Sequence, residues 1–165
     1  MSVVSLHKDD PTFEFDEKHV VIVGNKGRSK IKYRFCEPTM IVTPPEKPLT
    51  MPDAEISITL NEDTFNKILR TASVLASPQV AIESDGTLIN VSTLDTQNDS
   101  AHTNTIEIAA GDSNKYRMIF KTENLAKILP GSYDVKISSK GISNFKNKNV
   151  PLQYWISTEQ GSKFN

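Results

Sequence analysis

Two stretches of this chain, LNEDTFNKILR (60–70) and FKTENLAKILP (120–130), align without a gap. Each sits in the same setting. Residues 56–94 read strand, polar cap, helix, strand, tight turn, strand, and residues 116–147 repeat that order. A repeat of this length predicts two similar half-domains related by a pseudo-two-fold axis. Few folds accept it, because strands and helices must alternate within each half while hairpins keep the strands antiparallel. The class expected is α+β.

The first helix is predicted over about 61–76. Phe65, Ile68, Leu69, Ala72 and Leu75 form one apolar stripe, with Lys67, Arg70, Thr71 and Val74 on the other side. Asn61 and the acids Glu62 and Asp63 suit a helix start, and Pro78 ends the run. A shorter helix is predicted from near Thr122, with Leu125, Ile128 and Leu129 inward and Pro130-Gly131 as its stop. Strands are predicted at 54–60, 79–84, 87–94, 104–110, 115–121, 132–138, 142–148 and 150–157. Ser84-Asp85-Gly86 between two of them is a strong hairpin signal. In the last strand, Val150, Leu152, Tyr154 and Ile156 share one face and Trp155 takes the other.

Residues 1–36 match the later part of the same unit. Ser2–Leu6 reads as a helix end, followed by strands in PTFEFD, HVVIVG and SKIKYRF with turns at Asp16-Glu17 and Gly24–Gly27. The segment 43–54, TPPEKPLTMPDA, carries four prolines without periodicity and reads as an extended connector. The expected organisation is therefore the second half of a first domain over 1–42, the connector at 43–54 and a complete second domain over 55–165. The clipped first half-unit suggests that the chain is truncated at its N-terminus.

The formal net charge of −1 argues mildly against a strongly basic nucleic-acid binder. Charge is segregated, however. Residues 51–110 carry 2 Lys/Arg against 9 Asp/Glu, whereas 111–165 carry 9 against 4, so positive faces can exist on a neutral chain. The lone Cys36 excludes an intrachain disulfide and fits a reducing cytoplasm. No secretory signal opens the sequence, and no stretch approaches the ~20 apolar residues of a membrane span.

The features IVTPPEKPLTMP, ISITLNEDTFNKILRTASVLAS, VAIESDGTLINV and LPGSYDVKIS, with the tail ending in Phe164-Asn165, resemble DNA sliding clamps of T-even-type bacteriophages. The resemblance covers nearly the whole chain and rests on the order of elements. It implies the DNA clamp fold, with antiparallel sheets outside and helices lining a DNA hole. It also implies a three-subunit ring in the cytoplasm of the infected bacterium, a DNA polymerase processivity factor that works with polymerase and clamp loader. The competing reading is a non-enzymatic phage structural or assembly module that binds protein only.

No catalytic constellation is recognisable. His7, His19 and His102 lack metal-ligand spacing and are expected at the surface. Cys36 has no activating partner and reads as a buried or neutral thiol. Asp95–Asp99 lacks the glycine and closing glutamate of a calcium loop. Gly24–Gly27 lacks the lysine–hydroxyl end of a phosphate loop and is a turn. No metal or cofactor is expected, and the chain reads as a non-enzyme.

Three surfaces remain. Lys67 and Arg70, with Lys121 and Lys127 from the second helix, form a basic helical set. It is either a solvated face or, as the resemblance implies, a surface meeting DNA phosphates without reading sequence. Arg28, Lys30, Lys32 and Arg34 share one strand face and read as a solvated outer sheet face. Ile41, Val42, Leu49 and Met51, helped by Phe164, are candidates for binding a partner peptide, against simple packing of the connector. The resemblance also implies a subunit contact between strands 28–35 and 103–109, through Ile31, Tyr33, Ile106 and Ile108. The last strand, 150–157, is expected to be an unpaired edge.

Overall fold

A computed structural model describes residues 6–7, 10–43 and 47–165. The chain divides into two compact units, Met1–Leu49 and Thr50–Asn165. The division falls inside the proline-rich connector, of which residues 44–46 lie outside the described residues. The expected helix end at 2–6 also lies outside them, save Leu6.

In the first unit, β1 (Thr12–Phe15), β2 (His19–Gly24) and β3 (Ser29–Arg34) form an antiparallel sheet in that order. The register pairs Phe13 with Ile22, Ile22 with Ile31 and Val20 with Tyr33. These residues therefore share one face, on which Val20 and Ile22 are buried while Phe15 and Tyr33 remain exposed. Lys30 and Lys32 lie on the opposite face, across from Val23 and Val21. The β2–β3 turn spans residues 25–28 and holds Asn25, Lys26 and Gly27 at positive φ, 52°, 54° and 86°.

One expectation fails in this unit, and the buried alternative for another is excluded. His7 is buried rather than at the surface, and its ring packs where a Cβ on Gly24 would be, 2.0 Å from Nδ1. Glycine at 24 leaves room for the imidazole, which no reading of histidine spacing could detect. Cys36 is exposed, because it lies just past β3 where no second layer covers it among the described residues.

The second unit contains β4 (Ile56–Leu60), α1 (Glu62–Val74), β5 (Gln79–Asp85), β6 (Leu88–Leu94), β7 (Asn104–Ala110) and β8 (Lys115–Lys121). It continues with α2 (Thr122–Leu125), β9 (Tyr133–Ser138), β10 (Ile142–Asn147), β11 (Gln153–Ser157) and β12 (Lys163–Phe164). One sheet runs β11-β10-β9-β4 and the other β12-β8-β5-β6-β7. The repeat is visible in this topology. Each half donates its first strand to the other half's sheet: β4 pairs with β9, and β8 pairs with β5.

Both sheets and both helical segments enclose one core, which includes Ile56, Phe65, Ile68, Val80, Phe120, Leu125, Tyr133 and Phe145. Phe65, Phe145 and Tyr154 all meet the Tyr133 ring edge-on, an arrangement aromatic quadrupoles favour. The link from β7 to β8 crosses the β5–β6 turn. There Gly111 donates to the Thr87 carbonyl at 2.7 Å, and a Cβ on Gly111 would lie 2.6 Å from the Gly86 oxygen.

Some boundaries differ from expectation. α2 spans four residues, and Leu129, expected inward, is 46% exposed. Pro130 disfavours helical backbone at the residue before it, so the chain leaves the helix before Leu129 can rotate inward. β11 begins only at Gln153. Val150 and Leu152 precede it exposed, because Pro151 cannot donate to a ladder. β12 was not expected.

Candidate functional site

α1 forms because its parts agree. The Asn61 side chain accepts from the Thr64 N–H at 2.8 Å, satisfying an orphan donor at the first turn. The stripe beginning at Phe65 then turns Phe65, Ile68 and Ala72 into the core. The same 3.6-residue period turns Asp63, Lys67, Arg70 and Val74 outward, and all four are exposed. The helix closes at Ala76, whose φ is 52°, with the Ser77 N–H donating to the Ala72 carbonyl at 2.8 Å.

The remaining two cations are held differently from expectation. Lys121 is the last residue of β8 and occupies the cap position of α2 without capping it, and Lys127 lies in the turn beyond α2. Neither is inside a helix, because four residues end α2 at Leu125. The two helical segments nevertheless adjoin. The Thr122 N–H donates to the Pro78 carbonyl at 2.9 Å, and the Thr122 hydroxyl donates to the Ser77 carbonyl at 2.8 Å. An open groove of about 550 Å³ runs between them, lined by Leu69, Ala72 and Ser73 from α1 and by Lys121 and Thr122.

Among the described residues the ion pairs are Arg117–Glu83 and Lys148–Asp134. Lys67, Arg70, Lys121 and Lys127 are in neither, and all four are exposed. Glu62 and Asp63 sit at the start of the 13-residue α1, where the positive end of the helix backbone accommodates them. The layer thus presents unpaired cations beside dipole-compensated acids, which suits loose contact with a polyanion. It has no clustered metal ligands among the described residues.

No family model matches the chain. The chain is 28% identical over 157 residues to a sliding clamp of Vibrio phage KVP40, covering 92% of this chain and 69% of that protein. The chain is thus similar to a phage sliding clamp over most of its length. Its fold agrees: a beta clamp of Helicobacter pylori superposes with a TM-score of 0.57 at 12% identity, over 96% of this chain and 44% of the other. A Caulobacter crescentus beta sliding clamp gives 0.57 at 12% identity, over 94% and 42%. The architecture is therefore the DNA clamp fold, and the chain spans less than half the length of these bacterial clamps. Another H. pylori beta clamp, also at a TM-score of 0.57, was solved bound to a DNA ligase peptide.

The other candidate surfaces separate. β3 and β7 are both edge strands of their sheets. On β3, Ile31 is half-buried and Tyr33 is 57% exposed, while on β7 Ile106 and Ile108 are partly buried against the core. Ile41, Val42 and Leu49 of the first unit are exposed. Met51 and Phe164 belong to the second unit, where Met51 is partly buried and Phe164 is tied into β12. β11 is an edge strand, and it lines a second groove of about 430 Å³ with Lys127 and Ile128. No helix is long and apolar enough to cross a membrane among the described residues.

Sequence reasoning missed the tail. Residues 159–165 run along the outer edge of β8, and the two-residue β12 is too short for any alternation to show.

Proposed function

We propose that the chain serves phage DNA replication as part of a sliding clamp, a non-enzymatic ring that encircles duplex DNA and tethers the polymerase. The observation that carries this reading is the outward face of α1, where Lys67 and Arg70 stand exposed and unpaired on a clamp fold. With Lys121 and Lys127 they would meet phosphates through long, water-bridged contacts. Such contacts do not select a sequence and weaken with salt. Retention would come from topology, so loose contact is what sliding needs.

On the same reading the ring would close through two edge strands. β3 of one subunit would pair with β7 of its neighbour in a homotrimer, the backbone setting register and Ile31, Tyr33, Ile106 and Ile108 supplying apolar contact. Lys30, Lys32 and Arg34 of β3, with Arg28 just before it, would lie near Glu107 of β7. Polymerase and clamp-loader peptides would dock on the exposed Ile41, Val42 and Leu49.

Retention on DNA tests the function. After loading, the protein should stay on nicked circular DNA and leave the same DNA once it is linearised. Equal retention on both, or on neither, removes the clamp reading. Binding of phage proteins without DNA retention would favour the assembly-module alternative. Replacing Lys67 and Arg70 together by Ala should lower the salt dependence of DNA association by up to about two in slope.

A further inference from the structure

The C-terminal seven residues occupy an edge that a different strand would fit better. β8 pairs with β5 on one side, and its other side would be free without the tail. The tail satisfies that side. The Glu159 N–H donates to the Ile119 carbonyl at 2.7 Å, and the Asn165 N–H donates to the Lys115 carbonyl at 2.9 Å. Between them the pairs are Lys163 with Arg117 and Phe164 with Tyr116. The Phe164 and Tyr116 rings stack with centroids 6.2 Å apart and planes 8° from parallel.

Three features make this cover a poor one. True ladder pairing extends over only two residues. At Ile119 a side chain substitutes for backbone, since the Ile119 N–H donates to the Ser162 hydroxyl at 3.0 Å rather than to a carbonyl. Lys163 is placed directly opposite Arg117, and like charges in that relation destabilise a sheet. Glu83 pairs with Arg117 at 3.3 Å from the β5 side and offsets part of that repulsion. In addition, the Tyr116 hydroxyl is buried with no hydrogen-bond partner.

We infer that the outer edge of β8 is a strand-addition site held by a displaceable tail, and that its partner is an extended peptide carrying an acid followed by an aromatic residue. The peptide runs antiparallel to β8, as β12 does. Its acid takes the place of Lys163 and faces Arg117 with Lys115 nearby, and its aromatic ring takes the place of Phe164 on Tyr116. Main-chain bonds supply affinity and the two side chains supply selectivity. The tethered tail competes at an effective concentration in the millimolar range, so the site responds only to a partner that pairs better. This inference concerns one sheet edge and stands whether or not the chain closes a ring on DNA.

The test uses the full chain, labelled for amide NMR, and the eight-residue peptide of residues 158–165 carrying Lys163→Glu. Binding should move the amides of Lys115, Arg117 and Ile119. The Phe164→Ala chain should bind this peptide at least ~10-fold more tightly than the Lys163→Glu chain, whose own tail has been improved, a gap of about 1.4 kcal/mol. The unaltered Lys163 peptide should bind more weakly than the Glu peptide. Because Phe164→Ala could loosen the core margin, amide exchange in the Lys163→Glu chain provides a second reading. Its Arg117 and Asn165 amides should exchange more slowly than in the parent. Equal binding of the two peptides, shifts elsewhere on the chain, or unchanged exchange in the Lys163→Glu chain would overturn the inference.

Discussion

Residues 60–70 and 120–130 align without a gap, yet α1 runs for 13 residues and α2 for 4. The anchors are equivalent. Phe65 and Leu125 occupy the same place in the repeat, as do Ile68 and Ile128, and all four are buried. What differs lies at the ends. Position 61 is an asparagine that caps its helix, whereas position 121 is a lysine that does not. Position 70 is an arginine inside a continuing helix, whereas position 130 is a proline beyond the end of α2 that bars the helix from resuming. Buried anchors therefore decide where a helical segment sits, while caps and breakers decide how long it is. The consequence for function is that Lys67 and Lys127 hold the same repeat position on unequal supports, a three-turn helix and a turn.

The largest expected effect comes from breaking the anchors. Phe65→Ala should cost about 3–5 kcal/mol, because Phe65 is 1% exposed and its ring meets Tyr133 at 5.7 Å. Leu125→Ala should cost less, at about 2–4 kcal/mol, because it removes fewer buried atoms and no ring–ring pair. Chemical denaturation of both variants measures the difference. A larger loss for Leu125→Ala would mean that the short half, not α1, organises the core.

The positive-φ positions that follow the two helical segments, Gly131 and Ala76, should respond with opposite signs. Gly131 has φ of 155°, and a Cβ there would lie 2.6 Å from the Asn147 amide nitrogen, so Gly131→Ala should destabilise by roughly 1–3 kcal/mol. Ala76 holds the left-handed position that closes α1 with φ of 52°, a conformation that costs a residue with a Cβ. Ala76→Gly should therefore stabilise by about 1 kcal/mol, measured as a raised Tm. Two shifts of the same sign would show that the stops are set by packing rather than by backbone conformation.

The cap is the next smaller term. Asn61→Ala should cost ~1 kcal/mol by orphaning the Thr64 N–H. A neutral result would remove capping as a reason for the greater length of α1.

The repeat, the hairpins and α1 were legible because each is signalled more than once. In α1 the cap, the apolar stripe and Pro78 all agree, and β7 and β8 fall at their expected residues. The limits of α2 and β11 were not: α2 ends at Leu125 although its apolar pattern continues to Leu129, and Pro151 trims the start of β11. Of the candidate site, Lys67 and Arg70 followed from helical period alone. Lys121 and Lys127 were placed on a helix that ends too soon. The tail strand could not be read, since its pairing depends on a free edge of β8 that only the topology reveals.

The smallest expected effect concerns how the two halves close their matching hairpins. In the first half, Asp85 closes its own turn by accepting from the N–H groups of Thr87 and Leu88 at 2.7 and 2.9 Å. In the second half the β9–β10 turn has only a long local bond of this kind, from the Lys140 N–H to the Ser138 hydroxyl at 3.3 Å. Glu55, just before β4, accepts instead from the Ser139 hydroxyl at 2.6 Å and the Ser139 N–H at 2.8 Å. These bonds favour the carboxylate, and the Ser139 hydroxyl contributes most, so the Glu55 pKa falls from 4.5 to about 2. A depressed folded-state pKa means that the contribution is fully present above pH 4.5. It is lost as pH falls from there through about 2. Because Glu55 is solvent-screened, the effect is small and best seen as a difference. Glu55→Gln should lower stability slightly at pH 7, and parent and variant should converge as the pH drops toward 2. Urea titrations of both proteins between pH 7 and 2.5 would measure this. A constant gap across that range would show that the clasp works by shape rather than by charge, leaving the two hairpins closed by unlike means.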